Sequence, residues 1–484
     1  MFRVPGSGFR VWEPRTTNAI SGRERRPAND EPRTVNANPG REPGTRNPEP
    51  GTARFLFPVI LLLVANPAAG PDNPVHTFTS SAAAEAVAHL VVRCDRCAWD
   101  VAGREGATLA LTVDRRAPIH LPIVRSGVAA YDVLLGSVEP GTHTLRIEVD
   151  QELTAAALRA PGAVAIEHVA IEQRTASDAS YMATSLAPIV YARPNTIGRF
   201  TDVPVFTWYE MEPEGPGTRF RYSVIFTNED GGTPTDRLMA TWGRTTDIEY
   251  IYSVVVDAGG NILADDFQGP DHVTTAYGGQ REGRHPQLWV STENNMVRDH
   301  GETRVRYALA PQFFPLANKS REAVMDATPW LYEVMSRELA REGKIVPGAP
   351  AGKDRIPDPR RFVYIEACGE VGTSALAFSV RAGNDWIPSD RGMREYRIVR
   401  DGCFRVAVPL PDGAGESDIR SVRAQSFERP PRANEPPPQP TPVRLTRINA
   451  VFMLDESYRP RQSLLRWDGS KVIAPGGDWE LALP

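Results

Sequence analysis

Asp247 and Glu249 stand two residues apart at the start of the run TTDIEYIYSVVVDAGG, residues 245–260, whose apolar residues recur at every other position. Alternation of period two is the pattern of a half-buried strand. Residues i and i+2 of a strand share a face roughly 7 Å apart, so two carboxylates placed in this way can flank one cation. Carboxylate oxygens suit a hard ion, and imidazoles from neighbouring strand ends would make the site borderline. Three of the eight histidines, His272, His285 and His300, follow soon after, and Asp271 and Asp299 precede two of them. The candidate metal set is therefore Asp247, Glu249, His272, His285 and His300, with calcium expected ahead of zinc. The plainer alternative is that the two acids only keep a strand end in water.

Other chemistry finds less footing. The Gly-x-Ser-x-Gly elbow of serine hydrolases, the His-Glu-x-x-His zinc motif and a glycine-rich dinucleotide loop are all missing. The stretch GAPAGKD, residues 348–354, is one residue short of a phosphate loop, and Asp354 stands where a serine or threonine should hold magnesium. Exposed aromatics on linked sandwiches suit extended polar ligands. Trp208, Tyr209, Trp242 and Trp289 are the candidate ligand contacts.

These residues need elements to hold them. From residue 76 to 173 short alternating runs are divided by turn residues: ATLALTVD puts Leu109, Leu111 and Val113 on one face, and HTLRIEVD does the same for Leu145, Ile147 and Val149. That spacing predicts a β-sandwich of jelly-roll type. A second β-rich region, 186–316, contains the acidic strand and a run in which Phe220, Tyr222, Val224 and Phe226 alternate. One helix is well marked within 321–344, with Thr328 as N-cap, Pro329 at the first position, Gly343 past the end and a stripe of Leu331, Val334, Met335 and Leu339. After a linker at 345–359, residues 360–484 read as another sandwich interrupted by the proline-rich stretch ERPPRANEPPPQPTP. The expected fold class is mainly β: two or three β-sandwich, jelly-roll-like domains with one well-defined helix.

The stretch RYSVIFTNEDGG, followed by TTDIEYIYSVVVD, HPQLWVSTENN and DHG, resembles the vacuolar-protein-sorting-associated family with a Gly-Asp-Trp-Glu-His motif. More loosely, it is similar to the necrosis-inducing cytolysins with a His-Asp-Trp-Glu core. The resemblance covers about residues 186–310 and implies a β-sandwich in which the acidic pair begins a strand. In the cytolysins that pair helps to hold a divalent cation, so the resemblance lends Asp247 and Glu249 the same role. Ile248 stands in place of the motif's tryptophan and Tyr250 in place of its histidine, and STENN lacks the Ser-His pair usual in the first family.

Residues 1–53 are rich in arginine, proline, glycine and asparagine, a composition that buries too little to order itself. Residues 54–70 place a basic residue before an apolar run and small residues, the anatomy of a secretory signal. The expectation is that translation starts nearer Arg54, that the protein is exported to a periplasmic or extracellular space, and that no stable transmembrane anchor remains. The first 70 residues hold ten of the 55 basic residues and six of the 60 acidic ones, which leaves a net charge of −9 beyond them. A nucleic-acid partner, which calls for a basic surface, is not expected. Four cysteines in an exported chain read as disulfides. The residue types leave three pairings open, and closeness along the chain favours Cys94–Cys97 and Cys368–Cys403. The functional expectation is an exported multidomain protein that binds glycan or cell-surface material. The alternatives are a divalent-metal-dependent hydrolase centred on Asp247 and Glu249, and a structural envelope component.

Overall fold

The computed structural model describes residues 75–194, 200–229, 231–431, 436 and 438–483. The arginine-rich leader, the expected signal segment and part of the proline-rich stretch lie outside these residues. The chain is mostly β, as expected, and most strand pairs are antiparallel.

Two sheets form the first sandwich. One runs Val75–Ser80, Gly141–Val149, Ala107–Val113, Ile119–Ile123 in spatial order, and the other runs Gly127–Val138, Ala84–Cys94, Ala165–Arg174. Leu109, Leu111, Val113, Leu145 and Ile147 are all buried, which is what their alternation requires. Cys94 closes its strand into a tight turn and bonds to Cys97.

The central sheet runs Thr274–Ala276, Ile262–Gln268, Asp247–Val256, Gly217–Phe226, Pro204–Glu214, Gln312–Phe313. A smaller sheet of short strands, built around Ile189–Tyr191 and His285–Val290, belongs to the same region. Phe220, Tyr222, Val224 and Phe226 join one apolar core that takes in Leu288 and continues into the first sandwich through Leu90 and Leu134. The backbone is joined as well, since the Leu134 N–H donates to the Ala308 carbonyl at 2.8 Å.

Four α-helices occur among the described residues: α1 (Tyr181–Ser185), α2 (Thr235–Trp242), α3 (Ala323–Ala327) and α4 (Trp330–Arg341). The marked helix is thus split. Thr328 ends α3 without making a side-chain cap, and Pro329, which lacks an N–H, starts α4 one residue later than expected. The stripe Leu331, Val334, Met335 and Leu339 is buried. Three of its members join Trp208, Ile225 and Ile248 of the central sheet and Tyr364 and Phe452 of the last sandwich in one core.

That last sandwich has the sheets Gly402–Pro409, Phe362–Glu370, Val443–Phe452, Trp467–Ile473 and Asp385–Pro388, Ser374–Ala382, Ile419–Glu428, Asp478–Ala482. Cys368 and Cys403 sit opposite each other on paired strands and form the second disulfide.

Helix α2 carries no sequence mark of comparable strength, and its ends are held from outside. Asp354 accepts from the Thr235 N–H at 2.6 Å, and Asp236 accepts from the Gly352 N–H at 2.7 Å. The stretch that misses being a phosphate loop is therefore a clamp on the start of this helix. Gly243 follows its last turn with φ of 62°, where a Cβ would stand 2.6 Å from Arg405 Cγ. Only glycine fits both demands.

Candidate functional site

Asp247 opens its strand, as expected, and pairs with Phe226, while Glu249 pairs with Val224. Paired residues lie on the same side of a sheet, so both acids point with Phe226 and Val224 towards the inner core. The sequence alternation puts them on the face away from Tyr252 and Val254, and the structure corrects this. Tyr222 pairs with Tyr252 but Ser223 with Tyr250, which leaves Ile251 as the extra residue of a bulge. The extra residue turns the alternation over. Asp247 and Glu249 therefore share the inner side with Tyr252, Val254 and Val256, and they are only 2% and 7% exposed.

Buried carboxylates need partners. The turn between His285–Val290 and Val297–Arg298 supplies one: Asn295, in the left-handed region at φ of 54°, donates from Nδ2 to Asp247 Oδ2 at 2.9 Å. Arg244 Nη1 lies 3.9 Å from Asp247 Oδ1, and Arg244 Nε donates to Glu322 at 3.0 Å. Gln268 Nε2 donates to Glu249 Oε2 at 2.6 Å and stands 3.1 Å from His272 Nδ1. A surface imidazole is thus linked to a buried acid through one amide.

Burial raises the pKa of Asp247, although Arg244 and the Asn295 hydrogen bond oppose the rise. Burial, and then the charge of Asp247, push Glu249 up to about 8. Glu229 is pushed up to about 7 for the same two reasons. Both carboxyls of the pair are thus pushed upward, Asp247 by its burial and Glu249 by burial and the neighbouring acid.

The histidines do not converge on this pair. His285 is buried elsewhere, its Nδ1 2.8 Å from the Ala187 carbonyl and its Nε2 2.9 Å from Glu85. His300 is 76% exposed at its side chain and lies 2.7 Å from Asp299. His272 alone comes near, by way of Gln268. Among the described residues no group of three or more His, Cys, Asp or Glu side chains is placed to hold a metal ion. Asp247 Oδ2 accepts from an amide and Oδ1 faces the Arg244 guanidinium, while Glu249 Oε2 accepts from an amide. Of the five residues expected to form the set, the described structure brings only Asp247 and Glu249 together, with His272 linked through Gln268.

The aromatic candidates divide. Trp208 is fully buried and Tyr209 nearly so. Trp289 stacks on Tyr191 with ring centroids 4.3 Å apart. Trp242, at the end of α2, lines an open cleft of about 400 Å³, but Arg400 lies 3.5 Å above its ring. Its face holds a guanidinium instead of standing free for a sugar ring.

No family model matches the chain, and no curated protein does. Among solved structures, two of NLPPya, a necrosis-inducing-like protein, in complex with mannosamine and with glucosamine, align with it at 11% identity. They cover 28% of this chain and 74% of their own, with TM-scores of 0.21 and 0.22. A superposition this loose carries no argument about site or ligand.

The sequence reading missed Asn295, Gln268 and Arg244, the residues that satisfy the acids. Each is distant in sequence from the acids or on the wrong side of a turn for alternation to reveal. The one available signal was the polar turn STENNM, whose asparagines favour left-handed backbone.

Proposed function

We propose that this chain is an exported binding protein whose ligand is glycan or cell-surface material, and that it is not a hydrolase. The observation that carries this reading is the contrast between its two polar regions. The carboxylate pair is enclosed and already matched to Asn295, Gln268 and Arg244. The cleft at Trp242 is open, large enough for a small saccharide, and bordered by Thr233, Thr241 and guanidinium groups. Such a lining offers many hydrogen-bond donors to a ligand and a single carboxylate, Glu395.

All four cysteines are paired, which suits an oxidising compartment. No helix among the described residues is long and apolar enough to cross a membrane. The test is a glycan array probed with purified protein, with binding titrated against wild type and Trp242→Ala. Saturable binding to at least one glycan class, weakened in the variant, is the expected result. Turnover of a glycan by the wild type, abolished by chelator, would replace this reading with the metal-dependent one.

A further inference from the structure

We infer that the cleft beside Trp242 is a site for the oxyanion groups of an acidic saccharide, with Arg400 at its floor and Arg237, Arg394, Arg397 and Arg429 around it. The inference rests on the glycan-binding reading and names the ligand class.

The charge pattern is unusual for this chain. The molecule is acidic overall, at −5, yet five arginines and a single acid, Glu395, line this one cleft. Three different parts of the chain deliver them: Arg237 from α2, Arg394, Arg397 and Arg400 from the segment before Gly402–Pro409, and Arg429 from just after Ile419–Glu428. Convergence from three segments gives a concave cationic surface, whereas a solvated charge run would be spread along one strand or helix.

Two of the arginines are fixed in place. Arg400 Nη2 donates to the Thr241 carbonyl at 2.7 Å, one of the unpaired acceptors at the end of α2, while its plane lies against Trp242. Arg397 donates to Asp390 at 2.8 Å and lies 3.7 Å over the Phe427 ring. A guanidinium held on an aromatic face keeps its remaining N–H groups aimed in one direction. Arg394 and Arg429 also line the cleft and have no ion-pair partner among the described residues; Arg394 is exposed.

The electrostatics agree with the geometry. Burial, with Arg321 and Arg244 nearby, lowers Arg400 to about 10 even though Glu322 opposes the fall. A cation depressed by its own surroundings gains from an incoming anion. Guanidinium groups match carboxylate and sulfate in a fork of two parallel hydrogen bonds. Several of them around one opening suit a ligand that repeats its acid groups.

Calorimetry with four probes tests this: polygalacturonate oligosaccharides for carboxylate, heparin-derived oligosaccharides for sulfate, dextran oligosaccharides as the neutral control, and polyphosphate as an anion without sugar. Arg400→Gln also removes a helix contact, so it is compared only after its melting temperature is measured. The decisive protein is Arg394→Glu with Arg429→Glu, since neither side chain has an ion-pair partner among the described residues to lose. The expected result is binding of one or both acidic probes, weaker at high salt, and falling by about tenfold for each arginine removed. Acidic probes that bind wild type and the double variant equally overturn the assignment. Neutral saccharides bound alone, with no effect of the variants, overturn the cleft while leaving the glycan reading intact. Binding of polyphosphate at the cleft with no saccharide bound overturns both.

Discussion

Glu249 shows how a single residue takes its chemistry from the space around it. Its carboxyl titrates near 4.5 when free and near 8 in the fold. Between those values the folded chain keeps a proton that the unfolded chain has lost, so this contribution to stability is complete below about pH 4.5 and is lost as the pH rises towards 8. Glu249→Gln removes the titration and keeps the shape. The variant should match wild type near pH 5 and exceed it by roughly 1–3 kcal/mol at pH 8, as read from urea unfolding at both values. A matching test addresses the cation. Calcium, magnesium or zinc added to chelator-treated protein should leave the melting temperature unchanged, because the donors around Asp247 already face its oxygens. A rise that Asp247→Asn with Glu249→Gln abolishes would restore a metal site. The sequence did show that Asp247 and Glu249 share a face and begin a strand. It could not show which face. Strand alternation fixes relative sides only, and one bulge at Ile251 exchanges the face covered by α4 for the inner one.

Among the elements, α4 and α2 mark how far a local signal reaches. The stripe of α4 could be read because it is amphipathic over three turns and buries the same residues that the pattern selects. Helix α2 has eight residues and depends on Asp354 at its start and on Arg400 and Arg405 near its end. Isolated helices of that length are unstable in water, so partners distant in sequence determine it. Gly243→Ala should show this dependence by costing about 1–3 kcal/mol, since the new methyl meets both left-handed backbone and the Arg405 side chain. The disulfides offer a second comparison. Cys368–Cys403 closes a separation of 35 residues and Cys94–Cys97 one of 3. Replacing the first pair by alanine should cost about 3–4 kcal/mol against about 2 kcal/mol for the second, measured by chemical unfolding.

For the whole molecule, the sandwiches themselves were legible and their union was not, because faces shared between distant segments leave no periodic trace. The fully buried Arg405 displays that union. It donates to Asp326 at 2.7 Å and to Tyr332, and it pairs with Glu366, tying the last sandwich to α3 and α4. Arg405→Ala should lose about 3–5 kcal/mol, since Glu366 keeps its burial without its cation and the half-buried Asp326 loses its partner. Urea unfolding followed by tryptophan fluorescence would measure the loss. The outside clamps on α2 also have a consequence in time. When a ribosome has made residues 235–242, the chain that will hold both ends of that helix does not yet exist. At about 5–20 residues per second, the wait until Arg405 emerges is on the order of ten seconds. Through that interval the central sheet's outer face, with Trp208, Ile225 and Ile248, lacks the cover that α4 and the last sandwich later provide. The cover of the middle of the chain therefore waits on the synthesis of its end.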